Sequence, residues 1–388
     1  MVPIKYSLRS LAVRKTTTSV TALGIGLVVF VLAASLMLAE GVKRTLGRTG
    51  RDDVAIVLRK GSDNELGSTV EDSTVGLVKT QPGVAMRNGA PDGVGELVVV
   101  LAMEKVGANG VTNATVRGLP DGGTSFRPDF KVVAGRPMRP GSDEVMVGTR
   151  IRGRFVGLDL EQSFELKKGR SAKVVGIFED GGSSTESEVW ADLETLRTSF
   201  GRQGLVSAVR VALESPSKLD AFRAAVESDK RLGLQVQRET QYYEKLSEGT
   251  SLFITGLGSL ISFFFAVGAM IGAMITMYAA VANRQREIGT LRALGFSKVS
   301  ILLSFVTESV VLALAGGVLG LVGALALGNV KVSMMNFASW SECVFTFDPS
   351  PSVLLTSFLF AGFMGLFGGL LPAMRAARMS PVVAMRGG

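Results

Sequence analysis

Histidine is absent from the 388 residues, and cysteine occurs once, at Cys343. Without imidazole there is no histidine base, proton shuttle or metal ligand, which argues against most hydrolases and metalloenzymes. A single thiol closes no intrachain disulfide, so the region around it must fold without one. No catalytic group, cofactor site or metal site is expected in the chain. The run G-x-x-x-x-G-K-[ST] that cradles nucleotide phosphates is missing too. Gly89–Gly95 (GAPDGVG) is glycine-rich but has neither the Lys nor the following Ser or Thr, and reads as an exposed loop.

Charge is scarce in four places. Residues 16–39, 251–283 and 349–374 carry none, and 299–330 carry only Glu308. Each window exceeds the ~20 residues that a helix needs to cross a ~30 Å hydrocarbon layer. Four buried helices of a soluble fold are the competing reading, but such long charge-free windows are hard to place in water. The fold class is therefore a membrane protein: four transmembrane α-helices with a large α+β extracytoplasmic domain between helices 1 and 2.

The remaining charge is unevenly placed. Three segments, 1–16, 284–298 and 375–388, together carry +10, while 40–250 hold 30 basic and 30 acidic side chains. Basic loops stay on the cytoplasmic side. Both termini and 284–298 are thus expected in the cytoplasm, and 40–250 outside, in a multi-pass protein of the cell inner membrane. The excess of basic residues is a topology signal, and no basic stripe interleaved with aromatics suggests nucleic acid. The first apolar run is too long for a ~7–15-residue signal core, and reads as an uncleaved helix.

These features divide the chain as follows. Residues 1–15 form a cytoplasmic amphipathic helix, with Ile4, Leu8 and Leu11 on one stripe. The first span is 16–39, and the α+β domain is 40–250. The second span with an outer stalk is 251–283, and 284–298 is a cytoplasmic helix. The third span is 299–328, the outer loop 329–350, the fourth span 351–373 and the cytoplasmic tail 374–388. Within 40–250, strands are expected at 53–58, 96–103, 113–118, 144–147, 163–166, 173–178, 207–213 and 234–237. Helices are expected at 70–80, from Asp192 to Phe200, and from Ser215 to Lys230. Tyr242 and Tyr243 are placed near the headgroup level. Gly316/Gly320 and Gly365/Gly369 have the spacing of four that lets helices pack closely.

Residues 284–298 read as a short helix with an apolar knob (Leu291, Leu294, Phe296) inside a rim of Arg284, Arg286, Arg292 and Lys298. Gly295 can turn the chain back toward the membrane. The pattern suits docking into a partner's groove. A basic loop that only fixes topology has the same composition.

Arg286-Glu287-Ile288-Gly289, followed by Leu291-Arg292-Ala293-Leu294-Gly295, resembles the signature of the FtsX-like permease family, the MacB or lipoprotein-exporter type of ABC transporter subunit. Leu371-Pro372-Ala373-Met374-Arg375-Ala376-Ala377-Arg378, then Pro381, is similar to the family's C-terminal pattern. Glu308-Ser309 with Gly316-Gly317 and Gly320 resemble its third helix, and 135–136, 144–148 and 173–178 resemble its periplasmic core domain. The resemblance implies a dimer, with a second copy or a paralogous permease. Each subunit would dock a cytoplasmic ABC ATPase through 284–298, the coupling helix, using Arg286, Glu287, Leu291, Arg292, Leu294, Gly295 and Phe296. ATP and Mg would be bound by that partner, because no phosphate loop is present here. Closure of the ATPase would be passed to the outer domain, a process called mechanotransmission, and would move a lipid, lipoprotein or other periplasmic substrate outward. A membrane-fusion protein and an outer-membrane channel serve DevC-like members. The alternative is an FtsX-like regulator of a cell-wall hydrolase with no transported substrate.

Glu308 is the one acid inside a membrane window, which marks it for attention. A structural ion pair near the inner surface is expected, with Arg14, Lys15 or Arg375 as partner.

Overall fold

The computed structural model of the protein describes residues 15–107, 110–336 and 340–379. The expected amphipathic helix over 3–15, with Arg14, and the tail from 380 onward, with Pro381 and Arg386, lie outside the described residues, as does the Lys15 side chain.

The chain opens with helix α1 (Lys15–Gly47). Then come β1 (Val54–Arg59), the two-residue β2 (Val70–Glu71), α2 (Asp72–Lys79), β3 (Met86–Arg87), β4 (Ala90–Pro91), β5 (Gly93–Glu104) and β6 (Val111–Leu119). Next are β7 (Phe130–Gly135), β8 (Glu144–Gly148), β9 (Ser163–Lys167), β10 (Arg170–Asp180) and β11 (Glu188–Asp192). They lead to α3 (Leu193–Phe200), β12 (Leu205–Val206), β13 (Ala208–Ala212), α4 (Leu219–Ser228) and β14 (Leu234–Arg238). The last part holds α5 (Glu239–Asn283), α6 (Gln285–Ala293), α7 (Lys298–Leu325), the hairpin strands β15 (Lys331–Asn336) and β16 (Ser341–Thr346), and α8 (Pro351–Arg378).

Two compact units result. One comprises 1–40, 252–330 and 346–388, and the other 41–251 and 331–345. In the helical unit, α1, α5, α7 and α8 are each long and apolar enough to cross a membrane. Ile25, Val28, Val29, Ala266, Ala313, Ala361 and Met364 form its centre, drawing on all four. Three of these seven are alanine, small enough for the close backbone contact that holds helices together in apolar lipid. Helix α8 runs through Pro372 to Arg378, beyond the expected end at 373.

The second unit is built on a ten-stranded mixed sheet in the order β14-β1-β13-β5-β6-β11-β8-β10-β7, with β9 also on β10. Strand alternation sorts the faces. In β11, Val189 and Ala191 join one core, and Trp190 points to the other side, where it stacks on Phe178 at 4.0 Å. Helix α3 covers the first core through Leu193 and Leu196. Helix α4 covers a separate core over β1, β13 and β14 through Leu219, Phe222 and Val226. Asp192 caps α3, its side chain accepting from the Thr195 amide at 2.9 Å.

Several elements differ from the sequence reading. Residues 70–71 form a strand paired with β12, and the helix starts only at Asp72. Strands β7 and β11 were not anticipated. The first is an edge strand with alternating exposed residues, and the second begins in Glu188, whose burial depends on Arg117, 71 positions away. The outer loop 329–350 contains a hairpin that belongs to the α+β unit. The Val344 amide donates to Ser187 Oγ at 3.1 Å, and Arg150 Nη1 donates to the Val344 carbonyl at 2.7 Å. Cys343 is buried on β16, and burial pushes its thiol up to about 11.

Candidate functional site

The segment between the second and third long helices turns tightly. The chain leaves α5 at Arg284, forms α6, and reverses at Gly295, whose φ of +92° only glycine takes easily. The Gly295 and Phe296 amides close the turn on the carbonyls of Arg292 and Leu291. Ser297 then caps α7, accepting from the Ser300 amide at 3.2 Å.

Tertiary packing divides the residues expected to dock a partner. Leu291 and Phe296 are half-buried against a cluster of Met277, Val281, Ile288, Ile301, Phe305, Ala373 and Ala376. They attach α6 to its own helical unit, with part of each side chain left exposed. The cause is Ile288, which is fully buried and turns that stripe inward. Leu294 is 73% exposed, with Arg286, Glu287, Thr290 and Ala293 also exposed beside it. Arg292 turns inward, and its Nη1 donates to the Phe296 carbonyl at 3.0 Å. Lys298 is exposed.

Arg284 joins two elements. Its Nε donates to Glu287 on α6 at 3.0 Å, and its Nη1 to Glu308 on α7 at 3.1 Å. The guanidinium lies over the Phe305 ring, 5.4 Å from its centroid. Glu308 is thus buried in an ion pair with Arg284, which the sequence reading had placed on the rim of 284–298. Arg375, one of the expected partners, lies over the Tyr278 ring instead. A residue 24 positions away in sequence gives no local signal of such a pairing.

The glycine pairs sit at close helix crossings. A Cβ at Gly316 would lie 2.5 Å from the Ala22 carbonyl oxygen on α1, and Gly320 meets the Gly26 carbonyl. A Cβ at Gly365 would lie 2.5 Å from the Ala313 methyl on α7, and Gly369 meets Ser309.

The α+β unit contains a feature that the sequence reading missed. Three guanidiniums (Arg117, Arg127, Arg210) and four carboxylates (Glu65, Glu96, Glu188, Glu239) form one buried network. Arg117 Nε donates to Glu188 at 2.7 Å, and its Nη1 to Glu65 and Glu96, each at 2.9 Å. Arg127 grips Glu96 with both terminal nitrogens, at 2.8 and 2.9 Å. Arg210 donates to Glu239 at 2.7 Å, Glu96 at 2.5 Å, Glu65 at 3.0 Å and the Tyr243 hydroxyl at 3.1 Å. Burial raises the Glu65 carboxyl, but Arg117 and Arg210 outweigh it and hold it at about 2. Glu96 is also held far below the usual carboxylate range, because Arg127, Arg210 and Arg117 overcome its burial. Tyr242 and Tyr243 are buried here, the Tyr242 hydroxyl accepting from the Glu65 amide and the Tyr243 hydroxyl from Arg210. A cavity of about 60 Å³, enough for a few waters, lies beside Arg117, Glu188, Tyr242 and Ser187. Among the described residues no acidic or thiol cluster is placed to hold a metal ion.

Residues 18–229 match the MacB-like periplasmic core domain, and 259–381 match the FtsX-like permease C-terminal family. An uncharacterized ABC transporter permease, YknZ of Bacillus subtilis, is 27% identical over 296 residues, covering 71% of this chain and 70% of that protein. The macrolide export ATP-binding/permease protein MacB of Hyphomonas neptunium is 27% identical over 424 residues. That match takes in 98% of this chain but only 60% of the relative's length. Among solved structures, the extracellular domain of YknZ from Gram-positive bacteria matches with a TM-score of 0.35 and 20% identity, over 47% of this chain and 99% of that one. The periplasmic region of MacB from Actinobacillus actinomycetemcomitans matches with a TM-score of 0.36 and 10% identity, over 50% and 93%.

Proposed function

This chain belongs to the FtsX-like, MacB-type family of ABC transporter permeases, and from that membership we propose that it is the force-transmitting subunit of an ATP-driven exporter or extractor. A separate cytoplasmic ABC ATPase, holding ATP and Mg, docks on α6. Its closure displaces α6, and the α+β unit, placed outside the inner membrane, acts on a lipid, lipoprotein or other periplasmic substrate. A second copy or a paralogous permease completes the assembly, and a membrane-fusion protein with an outer-membrane channel extends it. The observation that carries this reading is the division of labour on α6. Ile288, Leu291 and Phe296 hold the helix to its own chain, while Leu294 is left exposed, as are Arg286 and Glu287. An exposed leucine framed by charge is the composition of a small docking contact.

Leu294→Asp puts an unpaired carboxylate into that contact. Because Leu294 is exposed in the free chain, folding and membrane insertion should be unaffected, while copurification of the ATPase and ATP-driven activity in reconstituted membranes should be lost. Lys298→Ala should cost little, since exposed charges are worth ~0–1 kcal/mol. Wild-type ATPase binding and activity in L294D would remove α6 from the coupling role. A cell-wall-hydrolase regulator would use the same docking but move no substrate; identifying the proteins that copurify with the α+β unit separates the two.

A further inference from the structure

The charge network lies at the root of α5. Glu239 is the first residue of that helix, and Tyr242 and Tyr243 are on its first turn. Glu239 Oε1 accepts from Arg210 of β13, and its Oε2 accepts from the Arg51 amide at 3.1 Å, four residues past the end of α1. Thr240 Oγ1 donates to Asp52 at 2.8 Å, and a Cβ at Gly50 would lie 2.7 Å from the Glu239 backbone. The Glu65 amide donates to the Tyr242 hydroxyl at 3.1 Å. The segment leaving α1 and the start of α5 therefore meet at one carboxylate, which is bound to β13 of the sheet through Arg210. Arg210 reaches Glu96 on β5 and Glu65, and Arg117 carries the network on to Glu188 on β11. The other hydrogen-bond partners of Arg210 named above, Glu65, Glu96 and Tyr243, are charged or hydroxylic. Such a junction is rigid because displacing any member strips a buried charge of its partner.

We propose that Arg210 and Glu239 are positioning residues that lock the first turn of α5 to the ten-stranded sheet, so that a displacement of α5 is carried into the sheet instead of being absorbed at their junction. A hydrophobic contact would hold the helix as firmly but let it slide, because apolar attraction has no direction. Directed hydrogen bonds fix angle as well as distance: Glu239 is held by Arg210 Nε and the Arg51 amide, and Arg210 in turn by Glu65, Glu96 and the Tyr243 hydroxyl. The lock itself rests only on this geometry; its use in transmitting ATP-driven movement rests on the function proposed above.

Hydrogen exchange on the full chain in lipid nanodiscs tests both parts. Without nucleotide or ATPase, Glu239→Ala should raise amide exchange across 239–246 by about tenfold or more, while β8 and β11 stay protected. Glu239→Gln, whose single amide oxygen can accept from Arg210 or from the Arg51 amide but cannot replace both carboxylate oxygens, should restore protection in part. Unchanged exchange in E239A overturns the lock. Arg210→Met should behave like E239A; if it does not fold, E239A and E239Q decide alone. With the partner ATPase bound, ATP should alter exchange both in 239–246 and in 205–212 of the wild type. In E239A, with ATPase still copurifying, the response at 205–212 should disappear. Its persistence there shows that force does not pass through Glu239 and overturns the proposal. No ATP response anywhere in the wild type would sink the force-transmission reading instead, and the nucleotide-free result would still decide the lock.

Discussion

At the residue scale the energetics are dominated by charges that have left water. Arg117 is buried, and its guanidinium serves Glu65, Glu96 and Glu188 together. Arg117→Met fills the space but leaves three carboxylates short of a partner. Breaking a buried pair in this way costs ~3–5 kcal/mol, so thermal unfolding of the α+β unit in the purified full chain should start at a markedly lower temperature. An unchanged transition would mean that the network contributes nothing to stability. Acid should act on the same groups. The folded carboxyls of Glu65, at about 2, and of Glu96 lie below their ordinary value of 4.5, so the stability they supply is complete above pH 4.5. It should be lost as pH falls from 4.5 toward 2, and Glu65→Gln should flatten that decline. A melting temperature that is flat through this window would contradict the assignment.

At the scale of elements, close approach decides how the helices pack. Gly316 and Gly320 of α7 lie against carbonyls of α1, where no side chain fits without moving backbone. Gly316→Leu should therefore separate α1 from α7 and cost at least the ~1–3 kcal/mol of an overpacked site, read as a lower melting temperature in detergent. Gly24 on α1 has nothing within 4 Å of its Cβ position, so Gly24→Ala should be neutral or slightly stabilising through helix propensity. Equal effects of the two would mean that glycine content, and not this crossing, governs packing. The same scale explains α6. Its inward stripe comes from Ile288, Leu291 and Phe296, so Leu291 packs within the fold, whereas Leu294 is exposed.

For the whole molecule, charge asymmetry bears on orientation. From the +10 on 1–16, 284–298 and 375–388, against zero net charge over 40–250, we propose that 284–298 is cytoplasmic and 40–250 is outside. A cysteine at exposed Ser217 should react with an impermeant thiol reagent in spheroplasts, and one at exposed Ala293 only after lysis. Cys343 should stay unlabelled in both, since it is buried and its thiol is pushed up to about 11. The reverse labelling pattern would invert the topology. Helix α5 runs unbroken for 45 residues, roughly 68 Å at 1.5 Å per residue, so the expected stalk and second span are one continuous element.

The sequence by itself determined the class of the protein, because the relevant quantities are local. Transfer of a helix into lipid sums over contiguous residues, so four windows with at most one charge each were enough to locate α1, α5, α7 and α8. Alternation and caps are local too, which is why β5, β6, β10 and α3 were legible, and the Arg286–Gly295 run carried the family. Tertiary structure alone decided which charges meet. Glu65, Glu96, Arg117, Glu188, Arg210 and Glu239 look like ordinary surface residues in sequence. A buried charge is tolerated only where its partners converge, and those partners are brought together by strand order, which has no signature along the chain. Glu308 shows both halves of this. Its place in an apolar window marked it as unusual, but only the folding of α6 against α7 assigned it to Arg284.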